Sequence, residues 1–206
     1  EGWKLREYRL SQAMFMNQVE QFNTPAWDGQ PTGKLFVWSE QGVGDEVMFA
    51  SCFEELLNFA TEVIVSVNKR SLQLFQRSFP RIRFIDKSVE ASKIDYDDHI
   101  AAMSALGFLR PSIESFKNVT PGYIKANPLE VAEIRKKLDG GSRARQIVGV
   151  SWFSKAERVG TRRSMPVDQL VGAIPKDCTL VNLQYGKVNK ELRSLKKRIG
   201  RDVHSL

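Results

Sequence analysis

The sequence of 206 residues is poor in the residues that staple or bind metal. It has two cysteines, Cys52 and Cys178, and two histidines, His99 and His204. They lie in unrelated segments, which excludes a disulfide framework and any Cys/His metal spacing. Free thiols fit a reducing compartment, here the cytoplasm. No run of about 18 apolar residues occurs, so no transmembrane helix is expected. The opening EGWKLREYRL is charged and lacks the apolar stretch of a signal peptide. Internal repeats and low-complexity tracts are missing as well.

What is present is ordinary globular composition, 42% hydrophobic and 27% charged, enough to build a core without staples. The formal net charge of +7 raises the question of an anionic partner. The cations fall in separate groups: Arg135 to Lys137, Arg143 and Arg145, Lys155 to Arg163, and Lys187 to Arg201. The last group, KELRSLKKRIGR, has no interleaved aromatics, so it reads as a solvated helix face and not as a nucleic-acid surface. An anionic phosphate ligand suits the 155–163 group better.

Residues 1–33 read as a leading segment. Trp3, Leu5, Leu10, Met14 and Phe15 carry helical spacing, and NTPAWDGQPTG is turn punctuation. Lys34–Ser39 is a short apolar run expected to form a buried parallel strand. A helix follows from Asp45, with Val47, Met48, Phe49, Cys52, Phe53, Leu56 and Leu57 at spacings of three and four. Glu62–Val67 and Ile82–Ile85 are further strands, separated by a helix over Ser71–Phe79 that Pro80 stops. Tyr96–Ile100 is a shorter strand candidate. This alternation predicts a Rossmann-like parallel sheet with helices on both faces over 34–126. A helix over Pro128–Leu138 and the stretch GGSRAR form a linker, 127–145. The alternation then restarts over 146–206: strand Ile147–Trp152, helix Pro166–Ile174, strand Cys178–Leu183, helix Lys190–Ile199. Two strands make a poor independent core, so the sequence is expected to stop in mid-domain. The edge at Thr179–Leu183 is then expected to be open to a second chain, giving a homo-oligomer.

Three segments could carry chemistry. The first, Glu40-Gln41-Gly42-Val43-Gly44-Asp45, joins the first strand to its helix. Glycines there let a ligand approach the backbone. The dinucleotide fingerprint fails because Val47 replaces its third glycine, and the P-loop fails because no Gly-Lys-Ser/Thr follows. The loop instead offers carboxylates. Asp45 either caps the helix or serves as a general base for an acceptor hydroxyl, and Glu40 is the second candidate. The second segment runs from Ser151, Trp152 and Lys155 to Arg162 and Arg163. It follows a strand, and its cations could neutralise a departing diphosphate. The third, Gln184-Tyr185-Gly186, could hold a base or ribose. His99 follows Asp95, Asp97 and Asp98. It reads first as a structural histidine and second as another base on the acceptor side. The acidic residues around it match no standard metal spacing.

The segments WSEQGVGDEVMFASCFEELL, RSLQLFQRSFP, DYDDHIAAMSALGFLR, VGVSWFSKAERVGTRRSMPVDQL and VNLQYG together resemble, in order, one bacterial family. It is the glycosyltransferase domain that often follows tetratricopeptide repeats, related to heptosyltransferases and more distantly to O-linked N-acetylglucosamine transferases. The resemblance runs from about Trp3 to Leu206. It implies a GT-B architecture, two Rossmann-like domains facing a cleft, and an inverting transfer from a nucleotide-sugar donor to an acceptor hydroxyl. It implies no metal and no cofactor. By the same resemblance Asp45 corresponds to the acidic base, Lys155 to Arg163 to the diphosphate loop, and Gln184 and Tyr185 to the turn beside the nucleotide. The repeats are absent here, and the family's later nucleotide-binding stretch would follow Leu206. The alternative is a non-catalytic α/β domain that docks a partner, since fold alone does not assign activity.

Overall fold

The computed structural model describes all residues except 20, 119–121, 140–145, 155–159 and 206, and only the backbone of 14, 15, 17, 118, 139 and 161. The chain divides into two units, Glu1–Asn127 and Pro128–Leu206.

The first unit opens with helices α1 (Gly2–Glu7) and α2 (Ala13–Val19). Then come β1 (Thr32–Trp38), α3 (Val43–Phe49), α4 (Phe53–Leu56), β2 (Ala60–Val67), α5 (Leu72–Ser78), β3 (Arg83–Asp86), β4 (Asp98–Ala101) and α6 (Ala102–Leu109). The strands form one sheet in the order β3-β2-β1-β4, all neighbours parallel. This is a Rossmann-like α/β unit. The apolar run of β1 is explained by its central position, with both of its faces covered. Leu35 and Val37 point into the larger core with Phe49, Phe53, Leu56 and Phe75 from the helices. Phe36 and Trp38 point the other way, onto Ile64 and Ala101. Each such fully buried side chain contributes about 1.5–3 kcal/mol.

The second face is closed largely by the leading segment. Leu10, Val19 and Phe22 pack there with Ile94 and Tyr96. Residues 1–22 therefore belong to the sheet domain and hold one side of it. The acidic cluster beside β4 is used structurally. Asp95 pairs with Lys34, Asp97 accepts the Lys34 backbone N–H at 2.7 Å, and Asp98 accepts from the Thr32 hydroxyl.

The second unit contains α7 (Pro128–Asp139), β5 (Ile147–Val150), α8 (Val167–Gly172), β6 (Thr179–Asn182), α9 (Asn189–Ile199) and β7 (Val203–His204). Its core joins Val150, Val171, Leu180, Leu195 and Val203. Here the structure corrects the sequence reading. The unit does not stop at two strands, because β7 pairs parallel with β6, Leu180 opposite Val203. The order β5-β6-β7 makes β6 the central strand, so the expected open edge is paired with β7 at Leu180 and Val181. Two residues are too few to show an alternating pattern, which is why β7 was illegible. The turn before it is made by Gly200, whose φ of +67° ends α9 in the left-handed region.

The basic C-terminal run lies on an exposed helix face, and two of its arginines are tied to α8 and its end. Arg198 forks onto Asp168 at 2.6 and 3.0 Å. Arg201 donates to the carbonyls of Val171, Ile174 and Pro175 at 2.5–3.0 Å, capping the end of α8 as cations do at helix C-termini.

Candidate functional site

In the first unit, the segment from Ser39 to Glu46, a short loop and the first turn of α3, lies at the carboxyl end of the central strand, where open α/β sheets bind ligands. Its glycines are not demanded by the fold. Neither Gly42 nor Gly44 has a positive φ. A Cβ at Gly44 would meet nothing within 4 Å, and one at Gly42 only an Asp45 oxygen at 3.8 Å. Asp45 is half-buried. Its Oδ2 accepts the Gly42 N–H at 3.2 Å, while the Asp45 N–H donates to the Gly42 carbonyl at 3.0 Å. That is a helix cap. The other oxygen, Oδ1, has no protein partner among the described residues.

Glu40 is differently placed. Its side chain is fully buried and both oxygens are held by Arg9, Nε to Oε1 at 3.0 Å and Nη2 to Oε2 at 2.9 Å. Arg9 also reaches Ser104 Oγ at 2.8 Å and Glu7 at 2.8 Å. Burial pushes the Glu40 carboxyl up, and pairing with Arg9 offsets part of the rise. Burial works against the Arg9 charge too, but its two carboxylate partners outweigh this and raise its pKa. The structure thus assigns Glu40 to pinning the leading segment against the loop.

His99 lies inside β4 opposite Phe36. Its ring stacks on Phe22 at 4.0 Å, and Trp38 Nε1 donates to its Nδ1 at 3.3 Å. Burial lowers its pKa, with Asp98 opposing. It is part of the second-face aromatic layer, and no hydrogen bond joins it to Asp45 among the described residues.

Three residues that the sequence reading passed over complete this end of the sheet. Glu46 is 1% exposed. Its Oε1 accepts the Asn68 backbone N–H at 2.9 Å and faces Lys87 Nζ at 3.8 Å, while Oε2 has no partner. Lys87 also donates to the Gln41 carbonyl at 3.3 Å. Glu46, Lys87 and Asn68 therefore tie together the segments that follow β1, β2 and β3. The signal for Glu46 was available: it stands in line with Phe49, Ala50 and Phe53 on the buried stripe of the helix, a carboxylate where an apolar residue belongs.

In the second unit, Gln184 is a clamp. Its Oε1 accepts from Trp152 N and Phe153 N, both at 2.9 Å, and from Ser151 Oγ at 3.1 Å. Its Nε2 donates to the Phe153 carbonyl at 3.0 Å. One buried amide thereby joins the ends of β5 and β6. Trp152 is buried and donates from Nε1 to Glu191 at 3.2 Å, so it packs the unit, while Ser151 is exposed. Next to the clamp, Tyr185 is 82% exposed and Gly186 has φ +94°. Arg162 and Arg163 are exposed on a short 3-10 turn, Thr161–Arg163. Ser164 Oγ holds that turn's flanks, accepting from Ser154 N at 3.0 Å and donating to the Gly160 carbonyl at 2.6 Å. Lys155 and Arg158 lie outside the described residues. Among the described residues no helix is long and apolar enough to cross a membrane.

Comparison with known proteins adds one relative. The chain is 29% identical to Protein FlbA of Caulobacter vibrioides (strain ATCC 19089 / CIP 103742 / CB 15), an alignment that covers 98% of this chain and 37% of that protein. The chain thus spans little more than a third of the length of this curated relative. No protein-family model matches the chain, and no solved structure does.

Proposed function

We propose that this chain is part of a nucleotide-sugar-dependent glycosyltransferase of GT-B type, with the first unit on the acceptor side and the second on the donor side. The reading rests on the sequence resemblance carried by the EQGVGDE and LQYG motifs. The observation that supports it best is the Gly42–Asp45 turn at the end of β1. Among the described residues, a carboxyl oxygen without a protein partner stands beside two glycines whose missing side chains no contact or backbone angle requires. In the proposed reaction Asp45 Oδ1 removes the proton of an acceptor hydroxyl. The freed oxygen attacks the anomeric carbon of the donor, and the nucleoside diphosphate leaves with the bonding pair. Direct displacement inverts the anomeric centre, and independence of metal is what the family resemblance implies. Tyr185 would face the base or ribose, and Arg162 and Arg163 the diphosphate.

The test is transfer by the full-length protein from a panel of labelled nucleotide sugars. Asp45→Asn keeps the capping acceptor and removes the base, so turnover is expected to fall at least about 100-fold with the fold unchanged. Full activity in that variant would place the base elsewhere. Loss of stability without loss of rate per folded molecule would reduce Asp45 to a cap and favour the binding-domain alternative.

A further inference from the structure

On the second face of the first unit, at the carboxyl ends of β1 and β2, lies a polar cavity of about 300 Å³. Phe36 and Trp38 form its aromatic floor and join it to the layer around His99. Gln18, Gln21, Ser39, Ser66 and Lys87 line it over Trp38. The serines are held in place: Ser39 Oγ donates to the Ser66 carbonyl at 2.6 Å, and Ser39 N donates to Ser66 Oγ at 3.2 Å. Ser66 Oγ keeps its own proton for another acceptor. Lys87 is the under-used group. Its side chain is 37% exposed and its ammonium reaches its two neighbours only at 3.3 and 3.8 Å. Charge-assisted hydrogen bonds normally close to about 2.7–2.9 Å.

Among the described residues, the charged groups that line this cavity are paired. Lys87 faces Glu46, and Glu40 in the wall is matched by Arg9. Balanced charge gives no net pull on a free anion or cation. What remains is a set of amides, hydroxyls and one ammonium over an aromatic base. Such a set donates and accepts at several points and suits a ligand that does the same. The volume is at the low end for small-molecule sites, room for one ring. We infer that this cavity is a binding site for an uncharged sugar ring, with Lys87, Ser66 and Gln21 as its hydrogen-bonding groups. Lys87 also holds the Gln41 carbonyl, so occupancy of the cavity is linked to the loop that carries Asp45. Reading the bound ring as the acceptor sugar rests on the transfer function proposed above; binding itself does not.

The experiment is a titration of the isotopically labelled chain followed by amide NMR. The probes are methyl glycosides of neutral hexoses, a uronic acid and a hexose phosphate. Saturable shifts at Ser39, Lys87 and Val89 with a neutral glycoside are expected. Val89 is exposed at the cavity rim, so Val89→Trp fills the space without touching the core and should weaken binding at least tenfold. Gln21→Ala, also at an exposed position, should weaken it about threefold to tenfold. The spectra of both variants report whether they are folded. No saturable shift with any neutral glycoside up to about 10 mM would overturn the inference. So would shifts that persist in Val89→Trp, or binding confined to the charged sugars. If the inference fails while nucleotide-sugar-dependent transfer is present, the proposed function stands alone. If binding is found and transfer is not, the cavity stands without the enzyme.

Discussion

At the scale of single residues, the first unit depends on buried titratable groups. Arg9 and Glu40 form a two-pronged pair with almost no solvent access. Removing one partner from such a pair leaves an uncompensated buried charge, typically worth 3–5 kcal/mol. Arg9→Met is therefore expected to destabilise the unit by roughly that amount in denaturant unfolding. The double variant Arg9→Met/Glu40→Leu should recover much of the loss, because neither charge is then stranded. If the single variant unfolds like the wild type, the leading segment is not pinned through this pair. His99 gives a pH dependence. Its folded pKa is lowered by burial, so the unfolded chain binds the proton more readily. The stabilising contribution of neutral His99 is then complete above about pH 6.5, the ordinary value, and is lost as pH falls through the lowered folded value. Thermal unfolding between pH 7 and pH 5 should show a drop in Tm that is smaller in His99→Phe. An equal drop in both would assign the acid sensitivity to the carboxylates.

At the scale of elements, the sequence was most legible where one periodicity runs long. The strand Lys34–Ser39 and the helix after Asp45 were visible because a central strand buried on both faces must be apolar throughout, and its helix must show a stripe. The helix Ala102–Leu109, packed by Met103, Ala105 and Leu106, is not announced by its sequence. Its composition is apolar on nearly every side, which hides a period. The role of residues 1–22 was hidden for a different reason. A helix that covers a sheet face looks in sequence like any amphipathic helix, and Arg9 pairs with Glu40 across 31 positions. The site was legible as loops and not as partners. Gln184 was expected to meet a ligand directly, but its amide is spent on the backbone of Ser151 to Phe153, and no local pattern announces a contact across 31–33 residues. The short β7 carries its own prediction. Val203 is 7% exposed and sits in the core of the second unit. Val203→Asp would bury an unpaired charge and strip the partner from the β6 edge. Light scattering should then show concentration-dependent association absent in the wild type. If the variant stays as monodisperse as the wild type, β7 is not what protects that edge.

For the whole molecule, the proposed enzyme places two kinetic tasks in two units of the chain, and kinetics can test that division. The first unit offers Asp45, which would act on the acceptor proton only as the transition state forms. Substituting it should lower kcat and kcat/KM together and leave donor affinity unchanged. The second unit offers Arg162 and Arg163 on a turn held by Ser164. Their contacts to a diphosphate would exist in the bound ground state and strengthen as charge builds on the leaving group. Changing both to Ala should therefore weaken donor binding about tenfold or more, since each charge-assisted hydrogen bond is worth about 1.5–3 kcal/mol, and should lower kcat as well. Because the two sets act on different substrates and different bonds, their effects on kcat/KM should multiply in the combined variant. The measurement is a four-point cycle of donor and acceptor kinetics on the full-length protein, with donor affinity taken independently from calorimetry. Strong non-additivity would mean that both sets touch one group. A loss of donor binding in Asp45→Asn would move Asp45 from acceptor activation to donor recognition, and an unchanged donor affinity in the Arg162/Arg163 variant would remove the 3-10 turn from the donor site.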